Sequence, residues 1–333
     1  MSLPTQADTV VDLDSGGMSL AGAAANLLLA GVPKAGTTSL FEYLGQHPDI
    51  CGSTNKGPGY FSPLRRGEAL GSIDSYNENF AHCTGQRYAM EATPGYCYGG
   101  RGLVEGVKAT LDSPRIVLSL RNPVDRLWSS YAWQRSRGNL PDVESFEQYV
   151  SICNLKRERG EKQGPYFGGV TISSYGEYVP DWFDAFGDDV RVVFTDYLFA
   201  DPRAVVTELC GWLSIDDGVP ASFDYGVRNK TAHARSQVMS RKTHALKKSG
   251  DDLFRRFPGV KKGLQKAYLR VNTREDLEER LRPEARGELD ALFRESNLRV
   301  AALLKSRGYD RLPSWLEPSW ASETSHRAGP GAQ

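Results

Sequence analysis

Lys34, Gly36, Thr37, Thr38 and Ser39 bring a cation, a residue without a side chain and three hydroxyls into one short stretch. That combination suits the binding of a phosphate or sulfate group. Lysine supplies a full positive charge, glycine lets the backbone approach an anion closely, and the hydroxyls add neutral donors. The order of residues excludes a nucleoside triphosphatase loop, because Walker A places its lysine directly after the second glycine and follows it with Ser or Thr. Here Lys34 precedes Gly36 by two positions. A second set of the same kind follows at Arg121 and Ser129, within Arg121-Asn122-Pro123-Val124-Asp125-Arg126-Leu127-Trp128-Ser129. A guanidinium grips phosphate oxygens through paired N–H donors, and a serine beside it adds another donor.

Both sets stand where a buried strand gives way to a helix. Leu27, Leu28 and Leu29 form a short apolar run of the kind found in parallel strands covered on both faces, and apolar residues at helical spacing resume from Ser39. Ile116, Val117 and Leu118 form a second such run, after which Asn122 is suited to cap a helix and Pro123 to occupy its first position. Strands are predicted near 26–31, 87–90, 115–120 and 190–195. Helices are predicted near 37–46, 101–111, 123–137, 144–154, 174–186, 202–213 and 284–307. The expected fold is α/β: a P-loop-like parallel sheet flanked by helices on both faces, in a single domain. Such sheets bind ligands beyond the carboxyl ends of their strands, where both sets fall. Residues 138–170 and 226–275 have mixed patterns suited to acceptor-binding loops and lids.

The stretch Pro33-Lys34-Ala35-Gly36-Thr37-Thr38-Ser39-Leu40 resembles the 5′-phosphosulfate loop of sulfotransferases that use 3′-phosphoadenosine 5′-phosphosulfate (PAPS), and Arg121 with Ser129 resembles that family's 3′-phosphate site. The resemblance runs from about residue 26 to residue 316. It implies PAPS as sulfuryl donor, with 3′-phosphoadenosine 5′-phosphate (PAP) as product, and no metal. It implies donor binding by Lys34, Ala35, Gly36, Thr37, Thr38, Ser39, Arg121 and Ser129, joined by Arg235 from a loop at 227–236 that resembles the segment closing over the nucleotide. Lys34 is then the catalytic cation at the leaving phosphate. The acceptor implied is a hydroxyl, less readily an amine, of a saccharide or specialised metabolite. Alternatives from other classes are a P-loop kinase-type phosphotransferase and a PAP- or PAPS-binding protein without catalysis.

The general base departs from the family pattern. Glycan-type relatives carry Lys-Glu-x-x-Phe-Phe with a basic glutamate, whereas this chain has Lys56-Gly57-Pro58-Gly59-Tyr60-Phe61. Glu91, in a Thr-Pro-x-Tyr stretch at a strand end, is the first replacement and His82 the second. Tyr60, Phe61, Tyr96, Tyr98, Trp133 and Tyr166 are candidate aromatic walls for an acceptor.

Composition sets outer limits. The 333 residues carry no net formal charge, which gives no general bias toward nucleic acid or membrane, and the basic pairs Lys247-Lys248, Arg255-Arg256 and Lys261-Lys262 are local. Five cysteines, Cys51, Cys83, Cys97, Cys153 and Cys210, show no paired spacing, so reduced thiols are expected. No basic leader precedes an apolar core. The expected location is cytoplasmic, without membrane insertion, in a bacterial enzyme. The expected boundaries are a mobile N-terminus over 1–22, the domain over 23–316 and a mobile tail over 317–333. Oligomeric state is not legible in the chain.

Overall fold

The computed structural model describes residues 24–161, 163–226 and 283–317, together with the backbone of 233–234 and 273–274. Arg235, the three basic pairs, most of the lid segment at 226–275 and nearly all of both terminal segments lie outside the described residues.

Five strands form one parallel sheet: β1 (Leu27–Gly31), β2 (Ile50–Gly52), β3 (Tyr88–Glu91), β4 (Arg115–Leu120) and β5 (Val190–Phe194), in spatial order β2-β3-β1-β4-β5. The register pairs Leu27 with Met90 on one side and with Arg115 on the other, so β1 is the central strand. Successive connections from β1 go first toward β2 and β3 and then cross to β4. The reversal places a topological switch point at the carboxyl ends of β1 and β4.

Side chains alternate along β1. Leu27 and Leu29 pack with Leu40, Tyr43 and Leu44 of α1 (Thr37–Leu44) and with Val206, Leu209 and Leu213 of α9 (Pro202–Leu213). Leu28 and Ala30 face the other way, toward Leu103, Val104 and Val107 of α3 (Arg101–Thr110) and Trp182 and Phe183 of α7 (Val179–Phe186). Helices therefore cover both faces, as the unbroken apolar runs require. A third cluster joins α4 (Pro123–Ser136) to α5 (Phe146–Glu158) through Leu127, Tyr131, Phe146 and Tyr149, with Phe293 of α10 (Pro283–Ser306) closing it. The short helices α2 (Ile73–Asn77), α6 (Gly169–Ser173) and α8 (Thr195–Ala200) complete the described α-helices. The two-residue strands β6 (His233–Ala234) and β7 (Thr273–Arg274) pair antiparallel.

The differences from the sequence reading are local. β2 has three residues, too few to show a pattern of their own. The helix expected over 174–186 is divided, because Tyr178 leaves helical geometry at φ −143° and Pro180 opens α7 after it. The helix expected near 144–154 is α5 and runs on to Glu158, with Tyr149 and Cys153 fully buried.

The thiols divide into two classes. Cys97, Cys153 and Cys210 are free and buried, but Cys51 and Cys83 form a disulfide, which corrects the expectation of reduced thiols throughout. Chain topology explains the miss, since β2 carries Cys51 back beside the turn that holds Cys83. The bond closes a loop across a separation of 32 residues. A double Cys51→Ser, Cys83→Ser variant is expected to lose about 3 kcal/mol of unfolding free energy. Urea denaturation of the two proteins side by side measures that loss, and an unchanged midpoint would contradict it.

Candidate active site

The loop between β1 and α1 is held in shape from β4 and α4. The backbone N–H of Val32 donates to the Ser119 carbonyl at 2.9 Å, and the Ser119 hydroxyl donates to the Ala35 carbonyl. Arg121 donates to the carbonyl of Lys34 at 3.4 Å. Arg126, fully buried, donates to the Pro33 carbonyl at 3.5 Å, to Ser173 Oγ at 2.7 Å and to the Gly169 carbonyl at 2.6 Å. With its carbonyls tied back in this way, the loop offers its donors to the sheet's carboxyl end.

Two residues take left-handed backbone geometry there: Lys34 at φ 71° and Gly36 at φ 78°. Gly36 caps α1 without any side-chain hydrogen bond. The first-turn N–H groups of α1 are consequently left for a ligand, with the positive end of the helix dipole behind them. A Cβ at Gly36 would sit 3.0 Å from Leu198 and 3.4 Å from the Phe199 ring, so both geometry and space favour glycine. Phe199, 61 % exposed, leaves an apolar ring at the margin of the cradle.

The second set lies on the neighbouring strand. Asn122 caps α4 by accepting from the N–H groups of Val124 and Asp125 at 2.9 and 3.3 Å, and Pro123 takes the first helical position. Tyr175 donates to the Arg121 carbonyl at 2.7 Å, fixing the residue whose guanidinium faces the loop. Ser129 and Trp133 follow one turn apart on α4. The Lys34 ammonium stands 5.7 Å from the centre of the Trp133 ring, and the Arg137 guanidinium stands 4.3 Å from the same ring.

Positive charge accumulates without a carboxylate to match it at Lys34. Burial and the nearby Arg121, Arg137 and Arg126 bring the Lys34 ammonium down to about 8. Lys56 reaches the same cradle from a different segment, donating to Thr38 Oγ1 at 3.0 Å, and burial brings it to about 8 against the opposing pull of Glu42. Such a cluster is costly when empty and suited to a polyanion.

The two proposed bases occupy different surroundings. His82 is exposed and sits at edge strand β2, with ring nitrogens 3.4 Å from Cys51 Sγ, 3.1 Å from the Gly52 carbonyl and 3.3 Å from Thr54 Oγ1. β2 is two strands from β1, about 10 Å at sheet spacing. The structure therefore places His82 against the disulfide and away from the cradle. Glu91 lies at the end of β3, next to β1, but is fully buried. It accepts from Tyr76 at 2.9 Å and from Thr93 Oγ1 at 2.6 Å, and burial raises its carboxyl to about 7 despite the Thr93, Tyr76 and Tyr96 hydroxyls. Glu91 thus presents no exposed surface of its own to the cradle. Of the proposed aromatic walls, Phe61 and Tyr96 are core residues, while Tyr60, Tyr98, Trp133 and Tyr166 keep partial exposure.

Arg137 escaped the sequence reading, and Arg126, Thr93 and Lys56 entered it only as parts of motifs. Arg126 lies inside the Arg121–Ser129 motif, but only tertiary structure distinguishes an anchoring arginine from a ligand-facing one.

The sulfotransferase domain family matches residues 104–298, and the chain belongs to that family. Among individual proteins, the chain is 30% identical over 132 residues to the membrane-associated sulfotransferase kil1 of Dictyostelium discoideum, covering 38% of this chain and 27% of that one. It is 26% identical over 188 residues to human heparan sulfate glucosamine 3-O-sulfotransferase 6, covering 55% and 48%. The matches thus span about half or less of these relatives. A crystal structure of a sulfotransferase from Alicyclobacillus acidocaldarius superposes with a TM-score of 0.61 at 22% identity, covering 88% of this chain and 99% of that chain. This likeness in fold covers a larger share of the chain than the matched family region. No helix among the described residues is long and apolar enough to cross a membrane.

Proposed function

We propose that this chain transfers the sulfuryl group of PAPS to a hydroxyl of a saccharide or specialised metabolite. The observation that carries the reading is the convergence of two anion-binding junctions on neighbouring strands, one built around Lys34 and Gly36 and the other around Arg121 and Ser129. A nucleotide with phosphate at both its 5′ and 3′ positions matches that pair, whereas ATP has no group for the second junction. The donor set fits PAPS on chemical grounds as well: unpaired first-turn N–H groups, a Cβ-free position at Gly36 and an excess of cations. When bound, PAPS supplies an activated sulfuryl group on a phosphate leaving group.

The chain's own residues then have separable tasks. Ala35, Gly36, Thr37, Thr38 and Ser39 hold the 5′ end through backbone N–H groups and hydroxyls, and Arg121 with Ser129 holds the 3′-phosphate. Arg235 joins them if its segment folds over the nucleotide as the family resemblance implies. Lys34 neutralises charge growing on the 5′-phosphate oxygen as the sulfur departs, an electrostatic task that is strongest in a site shielded from water. Lys56, bonded to Thr38, adds charge on the acceptor side of the same group. A saccharide acceptor is favoured by the 3-O-sulfotransferase relative, whose name specifies heparan sulfate glucosamine. The disulfide suits a compartment that keeps thiols oxidised better than a reducing cytoplasm.

Competition binding separates this reading from a kinase. PAP is expected to displace a fluorescent adenine nucleotide at concentrations far below those needed for ATP. Equal displacement by ATP would favour the phosphotransferase alternative.

Two lysines that lose charge near neutrality give the site a pH signature. Anion binding favours the protonated ammonium, so it draws Lys34 and Lys56 upward from about 8. PAP affinity is expected to be full below that value and to fall as pH rises through it, with proton uptake on binding at about pH 8. Calorimetry in buffers of different ionisation heat measures the uptake; none at that pH, with affinity flat to about pH 9, would contradict the assignment.

A further inference from the structure

We propose that Thr93 is the residue that takes the acceptor's proton, passing its own hydroxyl proton to the enclosed Glu91 carboxylate behind it. The inference rests on the sulfotransferase reading and supplies the proton route that Gly57 leaves open.

The position of Thr93 follows from the sheet. It lies two residues beyond Glu91, just past the carboxyl end of β3, and β3 adjoins β1, whose carboxyl end opens into the cradle. The segment that carries Lys56 runs beside it. Ala92 donates its backbone N–H to the Lys56 carbonyl at 2.7 Å, and Lys56 in turn reaches Thr38 of the cradle. Thr93 is therefore next to a residue that touches the donor side, and it is half-buried where Glu91 is closed off.

Hydrogen-bond capacity then assigns its role. A threonine hydroxyl has one proton and two lone pairs. The proton goes to Glu91 Oε2 at 2.6 Å, and one lone pair accepts from the Gly59 N–H at 3.2 Å. The other lone pair faces the Tyr96 hydroxyl, which has the Glu91 carboxylate as a second partner, so an incoming hydroxyl takes the place of Tyr96 there. The hydrogen-bond partners of the Glu91 carboxylate are neutral hydroxyls: Tyr76 from α2, Tyr96 from the turn after β3, and Thr93 itself, with Tyr60 stacked on Tyr76 at 4.6 Å between ring centres. No cation is among the groups that set its ionisation, so burial dominates and the carboxyl sits at about 7. That value suits a proton sink working near neutral pH.

Gly57 belongs to the same arrangement. A Cβ there would come within 2.7 Å of the Ala92 carbonyl and 3.3 Å of Thr93 Oγ1. A glutamate cannot stand at position 57 while the Ala92 carbonyl keeps this place. The carboxylate reaches the site from below, through Thr93, in a chain whose position 57 is closed to side chains.

The step balances as follows. The acceptor oxygen forms its bond to sulfur as the bond from sulfur to the 5′-phosphate oxygen breaks, and that oxygen keeps the electron pair. The acceptor proton moves to Thr93 Oγ1 while the Thr93 hydroxyl proton moves to Glu91 Oε2. Glu91 ends protonated and releases its proton when the site reopens to solvent.

Thr93→Val, Thr93→Ser and Glu91→Gln variants test the relay in the full chain, with PAP binding and thermal unfolding recorded for each. Activity is read as PAP release from PAPS, with water and with glucosamine-containing oligosaccharides as acceptors. Wild-type PAP binding and release test the sulfotransferase reading by themselves, and their absence would overturn that reading together with the relay. Given wild-type release, Thr93→Val is expected to slow it about 10²-fold with PAP affinity unchanged. Thr93→Ser should restore most of the rate, and Glu91→Gln should abolish the loss of activity seen as pH falls through about 7 in the wild type. An infrared titration of the ligand-free protein gives a readout apart from activity: the Glu91 carboxyl should titrate higher in Thr93→Val, because a donor to its charged form is gone. Full release by Thr93→Val, or no rescue by Thr93→Ser, would overturn the relay and leave the sulfotransferase reading standing.

Discussion

Lys34→Ala is expected to lower turnover about 10³-fold while weakening PAP binding by less than about tenfold. The separation arises from where the charge is needed. On the proposed function, several donors hold the 5′ end in the ground state: the first-turn N–H groups of α1, the hydroxyls of Thr37, Thr38 and Ser39, and Lys56 through Thr38. Loss of one cation among them is partly absorbed. As the sulfuryl group departs, new negative charge concentrates on one phosphate oxygen, and a preorganised ammonium acts mainly on that increment. The Lys34 backbone, at φ 71° with its carbonyl held by Arg121, sets the side chain before any ligand arrives. Single-turnover rates measured alongside PAP dissociation constants make the comparison. Equal losses in the two would reduce Lys34 to a binding residue.

Arg121→Met is expected to weaken PAP about 10²-fold, or about 3 kcal/mol, while leaving AMP nearly unchanged. The variant preserves the length and much of the apolar packing of the side chain but removes the fork that grips a phosphate. AMP lacks the 3′-phosphate, so it serves as an internal control on the rest of the site. Arg121 also donates to the Lys34 carbonyl, and a loop distorted by its loss would weaken both nucleotides together. Calorimetric titration of PAP and AMP into both proteins decides the matter. A parallel loss for the two ligands would mean that Arg121 shapes the loop rather than recognising the 3′ end.

The parts of this site that could be read from the chain are the parts built from contiguous residues. Leu27 to Ser39 and Ile116 to Ser129 each contain a strand, a turn and a helix start, and local rules connect them. Asn122 and Pro123 act at the start of α4 as their types suggest. What the chain concealed is held by tertiary contacts. Lys56 and Thr38 meet across the loop that contains β2, and Gly57 must be glycine because the Ala92 carbonyl passes beside it. Cys51 and Cys83 pair because the same excursion returns on itself.

Glu91 shows the limit most clearly. A carboxylate at the end of a strand reads equally well as a base or as a buried anchor, since a strand covered on both faces gives no exposed side to point toward. Its enclosure by Tyr76, Thr93 and Tyr96 moves the contact with acceptor to the half-buried threonine. His82 is suggested by residue type alone, and it stands at the sheet's edge beside the disulfide. The fold was more legible than the acceptor site because apolar periodicity is repeated along the chain, whereas an acceptor site is assembled once from distant segments.

The most direct test of sulfuryl transfer is incubation of the purified chain with PAPS carrying radiolabelled sulfate and a panel of saccharides, followed by mass analysis of every labelled product. Stoichiometric formation of PAP and an acceptor heavier by one sulfuryl group, both lost in Lys34→Ala, is the result expected. Tight binding of PAP with no labelled acceptor and no PAP released from PAPS would contradict it.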